Sequence, residues 1–204
     1  MAERPILFGA EMVKAILDER KTQTRRIIKP QPDGPLVTDG SIWVKQGKIH
    51  VAPADRAWYC PYGTVGDRLW VRETFAIIDT TDDMLEVYYP ADETRFWYRV
   101  NDKTWEKYGA SAFTMSNRPS IFMPRWASRI DLEIASIRVQ RVQDIGEGEA
   151  VREGISIEYA CAVQRSPIVL FRELWDRINA HRGYSWASNP WVWVVEFTPR
   201  ERGS

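Results

Sequence analysis

The sequence is poor in residues that build metal or disulfide frameworks: its 204 residues include two cysteines, Cys60 and Cys161, and two histidines, His50 and His181. Neither cysteine stands near another ligand type at metal spacing, so two free thiols are expected, with no metal and no cofactor. Long hydrophobic runs are missing too. No apolar stretch exceeds five residues, as in Trp191 to Val195, against roughly 20 for a membrane-spanning helix, so no membrane partner is expected. The opening MAERPILFGAEM carries acids and a proline before any apolar stretch, unlike a secretory or transit peptide, which points to the cytoplasm. Net charge is also absent. With 28 basic and 28 acidic side chains, bulk electrostatics offers no argument for nucleic acid. A Gly-rich phosphate loop, a Gly-x-Ser-x-Gly elbow and internal repeats are lacking as well.

What is present is the composition of a folded globular protein, 44% hydrophobic and 27% charged with ten tryptophans, at a length suited to a single domain over 1–204. Charge is segregated along the chain: Arg20 to Lys29 holds five bases and no acid, whereas Glu73 to Arg95 holds seven acids and one base. Arginines outnumber lysines 21 to 7. A guanidinium can stack on a base or grip a phosphate bidentately, though a GC-rich coding bias accounts for the ratio equally well.

Phe8, Met12, Val13, Ile16 and Leu17 recur at helical spacing and predict a helix from Gly9 to about Arg20. The stretch after it, TRRIIKP, suits a short strand stopping at Pro30. From 31 to 59 proline and glycine recur around a hairpin expected in SIWVKQGKIHV. A strand is predicted from Arg68 to Ile77, then an irregular elaboration over 79–124 with one strand near Phe96 to Val100. In the long strand after Met123, Ile130, Leu132 and Ile134 share one parity and Ile137 and Val139 the other, which predicts a bulge near Ala135-Ser136. Asp144 and Glu147 have capping-box spacing for a short helix ending near Gly154. Ser166-Pro167 opens a second helix striped by Phe171, Leu174, Trp175 and Ile178 and finishing near Gly183. NPWVWVVEF reads as a strand buried on both faces. Helix, strands, helices and strand in that order favour an α+β fold over alternating βαβ units.

Four constellations could carry chemistry. Lys21, Thr24 and Arg26 follow the first helix; a lysine of lowered pKa beside a threonine hydroxyl can activate that weak nucleophile, while the alternative is a solvated basic helix end. Glu149 and Glu153, four apart, share a helix face and offer a general acid-base or an orienting carboxylate, or else a solvated acidic face. Arg118, Arg125 and Arg129 surround Trp126, which suits base stacking and phosphate contact, or a core tryptophan with a rim of arginines. Glu73 closes a strand beside Arg72, by default as a surface ion pair.

The segments ILDERKTQTRR, GDRLWVRE, the strand leading into DI…EAVREGI, and NPWVWVVEF resemble an ASCH domain, a member of the PUA-like superfamily. The likeness is strongest to the long ASCH-like proteins of phages and prophages, some labelled as assembly-associated. It covers roughly Ile6 to Lys29, Cys60 to Phe75 and Arg125 to Phe197, leaving insertions at about 31–59 and 76–124. The resemblance implies a small mixed β-barrel with flanking helices around a cleft for a nucleobase or modified nucleoside, in the host cytoplasm if phage-encoded. One small family member removes the acetyl group from N4-acetylcytidine without metal. Its Lys-Thr-x-Thr-x-Arg segment matches Lys21, Thr22, Thr24 and Arg26, and its helix glutamate falls on Glu153. By resemblance Thr24 is the nucleophile, Lys21 its base and Glu153 the orienting carboxylate. Substrate contacts are then expected from Arg26, Thr22, Glu73, Arg125, Trp126 and Arg129. The alternative partner is RNA or DNA, bound without turnover or as a nuclease substrate.

Overall fold

The computed structural model describes residues 1–32, 43–45, 48–50, 57–109 and 116–200. In chain order its principal elements are β1 (Glu3–Leu7), α1 (Ala10–Leu17), β2 (Gln23–Ile27), β3 (Trp43–Lys45), β4 (Lys48–His50), β5 (Ala57–Tyr59) and β6 (Arg68–Arg72). Then follow β7 (Ala76–Thr81), β8 (Met84–Tyr89), β9 (Thr94–Arg99), α2 (Asp102–Tyr108), β10 (Asp131–Arg141), α3 (Glu147–Arg152), α4 (Ile157–Ala162), α5 (Pro167–Asn179) and β11 (Trp191–Arg200). The fold is α+β.

The central sheet has the order β1-β6-β10-β11-β2. Among the described residues β1 and β2 lie at opposite edges and do not pair, so the sheet is open where a small barrel was expected. β11 is the strand predicted to be buried on both faces, and it is. Trp193, Val195 and Phe197 join one core with Val13 and Ile16 of α1, while Val192 and Val194 join another with Phe171 and Trp175 of α5. Fully burying each such side chain is worth about 1.5–3 kcal/mol, which explains why this strand holds the centre.

β10 changes parity where the sequence predicts: its register against β11 shifts between Ile134 and Ser136. Ser166 caps α5, accepting from the Ile168 N–H at 3.2 Å, and Gly183 (φ +83°) closes the turn beyond it. At α3 the cap differs from expectation. Asp144 accepts from the Arg141 N–H, one turn earlier, and Glu149 accepts from the Gly146 N–H at 3.1 Å. The expected hairpin forms as β3 and β4, antiparallel, with its turn at 46–47 outside the described residues.

Two further expectations are corrected. The strand predicted from Arg68 to Ile77 breaks after Arg72, because Glu73 turns inward to a buried ion pair, and Phe75 bridges to Arg118 instead of continuing beside β1. The stretch predicted to be irregular is a regular antiparallel meander, β7-β8-β9, with its own core of Leu85, Val87, Tyr89 and Met123. Four elements had no expectation: β1, parallel to β6, and β5, α2 and α4.

Candidate functional site

The site is built at the edge of the central sheet, on β2. Arg20 and Lys21 both donate their backbone N–H to the Ala15 carbonyl, at 2.9 and 2.8 Å, ending α1 in a tight hook. The hook buries the Lys21 side chain, 1% exposed. On β2, Gln23 and Arg25 lie opposite Glu196 and Val194 of β11, whereas Thr24 and Arg26 lie opposite Val195 and Trp193. Directly opposed residues share a face. Thr24 and Arg26 therefore face one core and Gln23 and Arg25 the other, with no further strand beyond β2 to separate them.

The segment after α3 completes the cluster. Gly154 has φ +106°, a conformation that disfavours any Cβ, and a Cβ there would meet that of Ala15 at 3.2 Å and that of Lys21 at 3.5 Å. This glycine lets the α3 end close over Lys21. Lys21 Nζ then donates to three acceptors: the Glu153 carbonyl at 2.6 Å, the Gln23 carbonyl at 2.8 Å and Glu153 Oε2 at 3.2 Å. Arg25 holds the same carboxylate, Nη1 to Glu153 Oε1 at 3.0 Å, and its Nη2 reaches Glu149 Oε2 at 2.9 Å and Gln140 Oε1 at 3.2 Å. Arg138 pairs with Glu149 and Glu196 from the flank.

Burial pushes the Lys21 ammonium below the ordinary lysine value, with Glu153 opposing. Three acceptors around Nζ use all three protons of the charged form. Proton loss from Lys21 therefore breaks one of these bonds. Burial alone would raise the Glu149 carboxyl, but the Gly146 N–H, Arg25 and Arg138 together bring it below the ordinary glutamate value. The solvated basic hook and the solvated acidic face are both excluded as readings, since Lys21 and Glu153 are buried against each other.

A cleft of about 1420 Å³ opens over this cluster and is lined by Lys21, Thr24, Arg25, Arg26 and Glu153. Aromatic walls come from Phe8, Tyr62 and Trp175. Thr24 makes no hydrogen bond to Lys21. The Arg26 guanidinium lies 5.0 Å from the Phe8 ring centre and 5.9 Å from that of Tyr62, and its Nη2 donates to the Leu7 carbonyl at 2.6 Å.

Of the residues singled out in the sequence, Lys21, Thr24, Arg26 and Glu153 come together here. Thr22 does not line the cleft; its backbone ties β2 to the Arg152 carbonyl and to the Phe197 N–H. Glu73, Arg125, Trp126 and Arg129 lie outside the cleft altogether. Arg129 forks onto Glu73, Nε to Oε1 at 2.8 Å and Nη2 to Oε2 at 2.9 Å, and reaches Asp92 with Nη1 at 2.8 Å. Glu73 is thus no surface pair with Arg72, and its burial raises its carboxyl above the ordinary value while Arg129 opposes. Trp126 packs edge-on to Tyr98 and Tyr108, and Arg125 pairs with Glu3 and Asp131.

Gln23, Gln140, Arg138, Phe8 and Tyr62 belong to the site but were not singled out. The available signal was the parity of β2, where Gln23 and Arg25 put polar groups on the face to which β11 contributes Val192 and Val194. Comparison with known proteins adds no relative: no family model, curated protein or solved structure matches the chain.

Proposed function

We propose that this chain is an ASCH-type protein whose cleft takes a nucleobase or modified nucleoside and hydrolyses the acyl group of an acylated cytosine-type base. The observation that carries the reading is the burial of Lys21 against Glu153, beside Thr24, at the floor of an aromatic-walled cleft. The PUA-like part of the reading rests on the order of segments and on the bend of β10, not on barrel closure.

In the proposed reaction a proton passes from Lys21 Nζ to Glu153 Oε2 across 3.2 Å. Rotation about the Cε–Nζ bond, at the expense of one carbonyl hydrogen bond, turns the lone pair of the neutral amine from Glu153 to Thr24, where it accepts the hydroxyl proton. Thr24 Oγ1 attacks the acyl carbonyl. The exocyclic amine leaves with the proton held by Lys21, and water then cleaves the threonine ester to release the carboxylate. Burial favours the first step because it lowers the cost of a neutral lysine. The Lys21 ammonium, re-formed by the Thr24 proton, supplies positive charge for the oxyanion.

The test is incubation of the purified protein with N4-acetylcytidine and related acylated cytosine nucleosides, followed by mass spectrometry. Loss of the acyl group by wild type and none by Lys21→Ala is the expected result. Absence of conversion across the panel overturns the hydrolase reading and favours binding without turnover. Such binding would not use Arg125 and Arg129, which are already held by carboxylates.

A further inference from the structure

The cleft carries more positive charge than its carboxylates balance. Five basic side chains line it, Lys21, Arg25, Arg26, Lys29 and Arg182, against the single acid Glu153. Lys21 and Arg25 are matched by Glu153 and, behind it, Glu149. Arg26, Lys29 and Arg182 pair with no carboxylate among the described residues. Lys29 rests 5.4 Å from the Tyr184 ring centre and Arg182 Nε reaches only the neighbouring His181.

Arg26 is the unusual member. Of its five N–H groups only one on Nη2 has a protein acceptor, and its Nε is enclosed without a partner. Enclosure pushes the guanidinium below the ordinary arginine value. The residue is half-buried, and a charge withdrawn from water is normally paired, because desolvation is otherwise uncompensated. Here Phe8 and Tyr62 supply ring faces instead, which fix the plane of the fork while leaving its Nη1 edge unoccupied by protein. A rigid fork with vacant donors is suited to a phosphate.

We propose that the cleft takes its ligand as an anion: Arg26, with Lys29 and Arg182, holds the phosphate of a nucleoside monophosphate whose base reaches Lys21 and Thr24. This rests on the nucleobase reading and adds that the ligand is a nucleotide, not a free nucleoside. A mononucleotide is favoured over a polynucleotide because Arg26, Lys29 and Arg182, bases without a carboxylate among the described residues, all line the one cleft. A strand-binding surface would need a track of free bases, and Arg125 and Arg129 are spent on carboxylates.

The experiment is a calorimetric titration of the full chain with cytidine 5′-monophosphate, cytidine, inorganic phosphate and a 5′-phosphorylated oligocytidine. Charged hydrogen bonds predict that the monophosphate binds about tenfold or more tightly than cytidine. In Arg26→Gln that ratio should fall toward one. Lys29→Gln and Arg182→Gln, both at exposed positions, should each lower the ratio severalfold and leave the fold intact, so the proposal stays testable if the Arg26 variant does not fold. Equal affinity for cytidine and its monophosphate in wild type overturns the nucleotide proposal and leaves the nucleobase reading standing. Phosphate binding that depends on Arg26, with no gain from the cytidine moiety, keeps the anion site and overturns the nucleobase reading. Tighter binding of the oligocytidine than of the monophosphate overturns the mononucleotide proposal in favour of RNA.

Discussion

Two buried arginines in this molecule do the same local chemistry in different surroundings. Arg25 holds Glu153 and Glu149 under the cleft; Arg129 holds Glu73 and Asp92 where the central sheet meets the meander. The second network does not line the cleft. Arg129 lies 4.2 Å from the Tyr89 ring centre, and Tyr89 in turn donates to the Ala127 carbonyl at 2.5 Å. The first is open on one side, where it shares Glu153 with Lys21 and adjoins Thr24. Ion pairing alone therefore does not mark a site. What sets the cleft network apart is a lysine whose protons are all committed beside a hydroxyl that lines open space.

The largest way to break the comparison is to remove either arginine. Arg129→Ala strands the Glu73 carboxylate and should cost about 3–5 kcal/mol, whereas Arg25→Ala leaves Glu153 with Lys21 and Glu149 with Arg138 and should cost less. Urea denaturation measures both. The network away from the cleft is expected to differ in one respect: the ligand affinity of the folded Arg129→Ala protein stays at the wild-type value.

Gly154→Ala comes next. A Cβ at φ +106°, 3.2 Å from that of Ala15, should cost about 1–2 kcal/mol and displace Lys21. Thermal unfolding together with nucleoside titration would show whether stability and affinity fall together, as they should if the glycine holds the cleft floor.

A smaller effect distinguishes the networks by pH. Glu149 sits below its ordinary value in the folded protein, so it stabilises above that value and the contribution is lost as pH falls through the lowered one. Glu73 sits above its ordinary value, so its own titration favours the folded state at the acid end of its window. The stability advantage of wild type over Glu149→Gln should therefore shrink below about pH 4. An advantage constant from pH 7 to pH 3 would contradict the assignment.

How far the sequence discloses this molecule depends on how local each signal is. The β11 run, the Ser166-Pro167 cap and the parity change at Ala135-Ser136 are signals within a few residues, and each matches the fold. The meeting of Lys21, Thr24, Arg26 and Glu153 was legible only through the family resemblance, since about 130 residues of chain separate the hook from the glutamate. The end of β6 was not legible. GDRLWVRETFAII alternates well enough for one long strand, and only the distant Arg129 draws Glu73 out of it. Leu85, Val87 and Tyr89 alternate with Met84, Glu86 and Tyr88 in MLEVYY, a pattern masked by the neighbouring acids Asp79, Asp82 and Asp83. The arginines around Trp126 misled for a related reason: their carboxylate partners, Glu3, Asp92 and Asp131, are remote or unremarkable in sequence.

Thr24 gives the smallest effect on stability and the most direct test. Thr24→Val keeps the volume and removes the hydroxyl, and should change unfolding free energy by no more than about 0.5–1.5 kcal/mol. Its hydrolysis of acylated cytosine nucleosides and nucleotides, measured beside wild type by mass spectrometry, should be abolished. Turnover by wild type that persists in Thr24→Val would contradict the role of Thr24 as nucleophile and with it the proposed mechanism.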